Sequence, residues 1–232
     1  RPSVATNSWK CAAAIAQFYG DPGVPIGTTM PNTGTQTASI DFIRPCAQAA
    51  ASSTPTPIAA VTMYRRALAA QPDSSVVIAS VGYLNNLRDL LDSPADVISP
   101  LSGRDLVARK VRSLVIMGGG YPSRSGENNL NGDPAAAQRV ASGWPTRVDW
   151  SGYEVGDVVL TGDTISTVHP ANSPVRIAYE AYVGPRKWIE SYDLTAVYHA
   201  VRSADPAYGL VGPGTNVVNS SGGNTFTAGS GN

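Results

Sequence analysis

Imidazole is scarce in this sequence: its 232 residues include only His169 and His199. His199 stands mid-helix beside Tyr198 and reads as structural, and His169 precedes Pro170 in a solvated loop. Cysteine is equally rare, with only Cys11 and Cys46. Two cysteines and two histidines, scattered without ligand spacing, exclude a zinc site of the common kinds. Charge is low as well, at 15%, with 17 basic and 17 acidic side chains. That balance gives no reason to expect nucleic acid or an anionic membrane as a partner. No run of about 18 apolar residues exists, which excludes a membrane-spanning helix. Arg1-Pro2-Ser3-Val4 lacks the apolar centre of a signal peptide. There is no phosphate-loop Gly-Lys-Ser/Thr. Ile78-Ala79-Ser80-Val81-Gly82 lacks the first glycine of a serine nucleophile elbow. Gly118-Gly119-Gly120 is followed by Ser123 where a dinucleotide loop needs its third glycine.

What is present is an apolar content of 42%, enough to bury the core of one domain. Asn7 to Tyr19 reads as a helix ended by Gly20. Residues 21–57, rich in Pro, Gly and Thr, read as a long loop. Ile58 to Ala70 is a second helix, with Val61, Tyr64, Arg65 and Leu68 spread over two faces. Val76 to Ala79 and Leu114 to Met117 are short, branched runs typical of strands buried on both faces. Leu84 to Leu91 and Gly103 to Arg112 are helical. Asp133-Pro134 opens another helix, with an N-cap aspartate and proline in the first turn, and it stops near Gly143. Strands follow at Arg147 to Trp150 and around Val158 to Leu160, then helices at Ser173 to Tyr182 and Trp188 to Val201. Val217-Val218 and Phe226 suit a small hairpin in the glycine-rich tail. Buried strands alternating with helices predict an α/β fold: an open, mostly parallel sheet with helices on both faces. In such sheets ligands sit beyond the carboxyl ends of the strands.

Compartment is addressed by weak signals. The cysteines permit one disulfide, or both could be buried as small hydrophobes. Asn219-Ser220-Ser221 is a glycosylation acceptor triplet. With low charge and many Ser, Thr, Gly and Pro residues, it points to a secreted protein, a cytoplasmic one being the alternative.

Four segments together resemble the inosine-uridine-preferring nucleoside hydrolases. VVIASVGYLNNLRDLL (Val76 to Leu91) is similar to that family's strand, Gly-x-Leu-Thr-Asn turn and helix. LVIMGGG (Leu114 to Gly120) resembles its Ile-Met-Gly-Gly strand end. Glu127-Asn128-Asn129 followed by Asp133-Pro134-Ala135-Ala136 resembles its Glu-x-Asn and Asp-Pro-x-Ala-Ala. Ser191-Tyr192-Asp193 resembles its late aspartate at a helix start. The likeness runs from about Asn7 to about Val201.

The resemblance implies calcium-assisted hydrolysis of the N-glycosidic bond of ribonucleosides, purine or pyrimidine, to ribose and base. It assigns Asp193 as a calcium-binding carboxylate and Val81 as a backbone-carbonyl ligand of the same ion. Glu127 and Asn129 would hold the ribose hydroxyls, and Asn86 would shape its turn. Trp150 and Tyr153 are candidates for the base pocket, while Trp188 and Tyr192, at i and i+4, read as core. The family also has an N-terminal strand ending in Asp-x-Asp-x-x-x-Asp-Asp, which supplies the general base and most calcium carboxylates. Only Asp21-Pro22-Gly23 bears any likeness to it here, so no catalytic residue is identifiable. The expectation is therefore a single domain over 1–232, N-terminally incomplete and lacking its first strand, with a second polypeptide supplying the missing piece. A homo-oligomer is compatible with this reading. The alternative is a non-catalytic sugar- or nucleoside-binding or defence protein that keeps the fold.

Overall fold

A computed structural model describes residues 4–29, 42–50 and 56–229. The loop expected over 21–57 therefore lies partly outside the described residues. In chain order the elements begin with α1 (Val4–Phe18), β1 (Gly27–Thr28), α2 (Ile43–Gln48), β2 (Ile58–Ala59), α3 (Ala60–Ala69) and β3 (Val76–Ser80). There follow α4 (Asn85–Leu91), α5 (Gly103–Lys110), β4 (Val111–Met117), β5 (Ser123–Arg124), α6 (Asn128–Asn131), α7 (Pro134–Gly143) and β6 (Arg147–Ser151). The rest are α8 (Tyr153–Asp157), β7 (Leu160–Thr161), α9 (Ile165–Val168), α10 (Pro174–Val183), β8 (Ile189–Glu190), α11 (Tyr192–Val201), β9 (Gly214–Val218) and β10 (Asn224–Ala228). The architecture is mixed α/β with parallel sheets flanked by helices, as the alternating pattern predicts.

The chain divides into two compact units. One takes in residues up to 64 together with 160–189. In it α1 ends where Gly20 adopts a φ of +86°, with Asp21 N–H bonding back to the Ala16 carbonyl. The question the two cysteines left open is resolved: Cys11 of α1 and Cys46 of α2 form a disulfide. Such a link, spanning 35 residues, stabilises by about 2–4 kcal/mol, mainly by restricting the unfolded chain. Phe42 and Tyr182 pack with ring centroids 4.7 Å apart, so α10 joins this helical layer. The helix expected from Ile58 starts two residues later, because Ile58 and Ala59 pair in parallel with Gly27 and Thr28. Gly27 is needed there: a Cβ would lie 3.0 Å from the Ala60 Cα and 2.9 Å from the Met63 Cβ.

The second unit takes in 65–159 and 190 onward, and its centre is the parallel sheet β3-β4-β6. Ser80 pairs with Ile116 and Met117 with Ser151, so the three strands end on one rim. Central β4 carries the core. Val115 and Met117 pack against Ala196 of α11. Leu114 and Ile116, fully buried, alternate with them and face the other way. Leu84, Leu87, Leu90, Leu106, Val107 and Val140 complete a buried core drawn from the α4, α5 and α7 regions. The cap read at Asp133 is present: its carboxylate accepts from Ala136 N–H at 3.0 Å. Two boundaries differ from expectation. Arg112 belongs to β4, because the helix before it ends at Lys110. Trp188 to Glu190 is outside α11, since Ile189–Glu190 is drawn into pairing with β7. The hairpin expected in the tail is present as β9–β10, and β10 also pairs with β5.

Candidate active site

The parallel strands deliver three loops to one rim, and the loop after β4 carries the buried polar residues Glu127 and Asn129. Glu127 caps the short helix α6 and is 4% exposed. Its Oε1 accepts from Asn129 N–H at 2.9 Å, and its Oε2 accepts from Leu130 N–H at 3.1 Å and Gly119 N–H at 3.0 Å. Asn129, 7% exposed, donates from Nδ2 to the Met117 carbonyl at 3.1 Å and to the Met117 Sδ at 3.2 Å. Both side chains are thus tied to the last residue of β4 and the glycines after it.

Those glycines have a structural reason distinct from dinucleotide binding. Gly119 has a φ of +74°, and a Cβ there would lie 2.6 Å from Asn224 Oδ1. Asn224 clamps the next residue in both directions: it accepts from Gly120 N–H at 3.0 Å and donates to Gly120 O at 3.1 Å. The β9–β10 hairpin therefore braces the loop that presents Glu127.

Asp193 lies in the first turn of α11. Its surface area is open to solvent, yet protein crowds around its carboxyl. That burial, and then the Glu127 charge, push its pKa up from 3.8 to about 6. Val81 directly follows β3 on the same rim, with its side chain 38% exposed. Glu127 and Asp193 are thus close enough for their charges to act on each other, and Asn129 adjoins Glu127 in α6. Val81 shares their rim, on the neighbouring strand, without a bond to them among the described residues.

The raised pKa has a measurable consequence. Below pH 3.8 the group is protonated in the folded and unfolded states alike and contributes nothing. Between pH 3.8 and about 6 the folded state retains the proton, so stability falls as pH rises, and above that the penalty is complete. Because the carboxylate is exposed, solvent screening reduces this to on the order of 1 kcal/mol. Asp193→Asn is expected to be more stable than the parent by that amount at pH 7.5 and no more stable at pH 3.5. Urea titrations at the two pH values measure it, and equal midpoints at pH 7.5 would refute the crowding.

An aromatic column stands beside Asp193. Tyr192 and Tyr153 stack with centroids 4.8 Å apart, and the Arg124 guanidinium lies 3.6 Å over the Tyr153 ring. Tyr192 donates to Asp157 Oδ1 at 2.7 Å, and the Tyr192 and Tyr153 hydroxyls hold the Asp157 carboxyl below its ordinary pKa. Tyr153 reaches this rim, whereas Trp150 is within β6 opposite Ile116. The i, i+4 pairing read for Trp188 and Tyr192 fails, since only Tyr192 is in the helix. Arg124 carries no sequence signal: its role comes from the pairing of β5 with β10, about a hundred residues downstream.

A model of the inosine-uridine preferring nucleoside hydrolase family matches residues 4–219. The chain belongs to this family. No curated protein matches it. The family's activity is nucleoside hydrolysis. Calcium fits less well. Among the described residues no three His, Cys, Asp or Glu side chains cluster as metal ligands. Glu127 commits three of its acceptor directions to backbone donors, and even with it Asp193 and the Val81 carbonyl fall short of the six to eight oxygens calcium takes.

Proposed function

We propose that this chain is the scaffold of a ribonucleoside N-ribohydrolase, releasing ribose and a free base. The observation that carries the reading is the pairing of Asp193, with its raised pKa, and the fixed Glu127–Asn129 loop on the carboxyl rim of the parallel sheet. A carboxylate offers about four acceptor directions, and Glu127 uses three, so one remains for a sugar hydroxyl. Asn129 adds an amide oxygen with no hydrogen bond among the described residues. In hydrolysis water attacks the anomeric carbon while the bond to the base nitrogen breaks, its electron pair leaving with the base. Positive charge gathers on the ribosyl carbon in the transition state, and the Glu127 and Asp193 carboxylates would stabilise it. The Tyr153–Tyr192 stack, with Arg124, offers an aromatic surface next to Asp193 against which the base could lie. Calcium enters the proposal only with further carboxylates, supplied by another polypeptide segment; Asp193 and the Val81 carbonyl would be its partial cradle. The Cys11–Cys46 disulfide supports a secreted setting, since such bonds persist in oxidising compartments. Among the described residues no helix is long and apolar enough to cross a membrane.

The test is ribose release from inosine and uridine by native material, with and without calcium. Activity is expected to require calcium and to fall about 10–100-fold in Asp193→Asn. Intact mass would show whether a second polypeptide accompanies the chain. Absence of ribose release from the native material with calcium present would end the enzymatic reading. The shortage of acidic ligands among the described residues favours one alternative, a non-catalytic protein that binds ribose or nucleosides. Calorimetry with both ligands would then give heat without turnover.

A further inference from the structure

We propose that Asn219 is a site of N-linked glycosylation, carried at the tip of the β9–β10 hairpin. Asn219-Ser220-Ser221 is the sequence's only Asn-x-Ser/Thr triplet. It opens the turn 219–223 between β9 and β10, and all three residues are exposed. The turn's other residues, Gly222 and Gly223, are buried beneath it. Gly222 lies against Leu130 and Asn131, where a Cβ would be 2.7 Å from the Asn131 Cα. The anchored side of the turn thus faces the protein and the acceptor side faces water. A bulky oligosaccharide there displaces no packing.

Within the turn the amide oxygen is engaged and the acceptor nitrogen is not. Asn219 Oδ1 accepts from Ser221 N–H at 2.9 Å, Ser221 Oγ–H at 2.8 Å and Gly223 N–H at 3.0 Å. Three donors on the amide oxygen draw electron density toward it and make the Nδ2 protons more acidic. Nδ2 donates no hydrogen bond among the described residues. In the transfer, Nδ2 loses one proton and bonds to the anomeric carbon of a sugar. The bond from that carbon to a phosphate oxygen breaks, and its electron pair leaves with the diphosphate of a lipid-linked oligosaccharide donor, which takes up the released proton. The Cys11–Cys46 disulfide independently supports an oxidising compartment, the kind of setting in which such donors act. None of this rests on hydrolase activity, so the two readings fail separately.

The full chain behind a signal peptide, translated into microsomes, provides the test. Protease-protected product is expected to carry one glycan that peptide N-glycosidase removes, with peptide mass spectrometry locating it on Asn219. Asn219→Gln and Ser221→Ala are expected to abolish the mass shift, and Ser221→Thr to keep it. Ser221→Ala leaves both backbone bonds to the Asn219 oxygen in place, and circular dichroism checks that the variant folds. Translocated, protease-protected chain without a glycan would overturn the proposal, as would a glycan that survives Ser221→Ala.

Discussion

Glu127→Ala is expected to cost on the order of 4 kcal/mol of folding stability, measured by urea denaturation at pH 7. The carboxylate is buried and is the acceptor for the N–H groups of Gly119, Asn129 and Leu130. Each buried donor left without a partner costs about 1–3 kcal/mol, and water entering the cavity returns part of it. Glu127→Gln should cost far less, about 1–2 kcal/mol, because its carbonyl oxygen still serves two donors while its amide group opposes the third. The glutamine variant separates the two roles of this residue. It removes the like charge that acts on Asp193, so the Asp193 pKa should fall. It should stay above the ordinary carboxylate range, because burial is the larger cause. NMR titration of the Asp193 carboxyl reads this directly. An alanine variant within 1 kcal/mol of the parent would show that the cap does not hold the loop.

How much of this was legible beforehand depends on the distance over which each feature is encoded. Val76 to Ala79 and Leu114 to Met117 announce themselves, because a strand buried on both faces must be apolar throughout. The cap at Asp133 is local, and it accepts from a backbone N–H as its sequence context implies. The site positions were legible only through the family motifs. Nothing in the residue types says that Glu127 is buried, since a glutamate in a polar loop reads as solvated. The short strands β1, β2 and β8 were missed because two residues carry no periodicity; their pairing is decided by segments far along the chain. Asn224 was missed for the same reason. Its two bonds to Gly120 bridge 104 positions, and its own neighbourhood is an unremarkable polar tail.

Arg65 is the strongest case of a residue whose role no local pattern could give, and its removal is the second large expected effect. On a helix with mixed faces an arginine reads as solvent-facing, yet Arg65 is 1% exposed. Its guanidinium donates to both oxygens of Asp96 at 2.8 and 2.9 Å, to Ser93 Oγ at 3.0 Å, and to the carbonyls of Ser99 at 3.1 Å and Leu101 at 3.0 Å. One side chain on α3 thereby fixes the whole loop from Ser93 to Leu101. Arg65→Ala should cost about 3–5 kcal/mol, the range for breaking a buried charge pair from one side. Asp96 remains partly open to water and can be rehydrated, so the larger share of the loss should come from the abandoned carbonyls. Arg65→Met with Asp96→Leu tests that division. A pure ion pair could be replaced by apolar groups at little cost, but here the double variant should stay well below the parent. Acid provides a second readout. Arg65 holds the Asp96 carboxyl below its ordinary pKa, so the stabilisation it brings is present above pH 3.8 and fades as pH falls through the depressed value. The gap between parent and Arg65→Ala should therefore narrow, without closing, as acid is added. A gap that stays constant down to pH 2 would mean that the carbonyl bonds alone carry the effect.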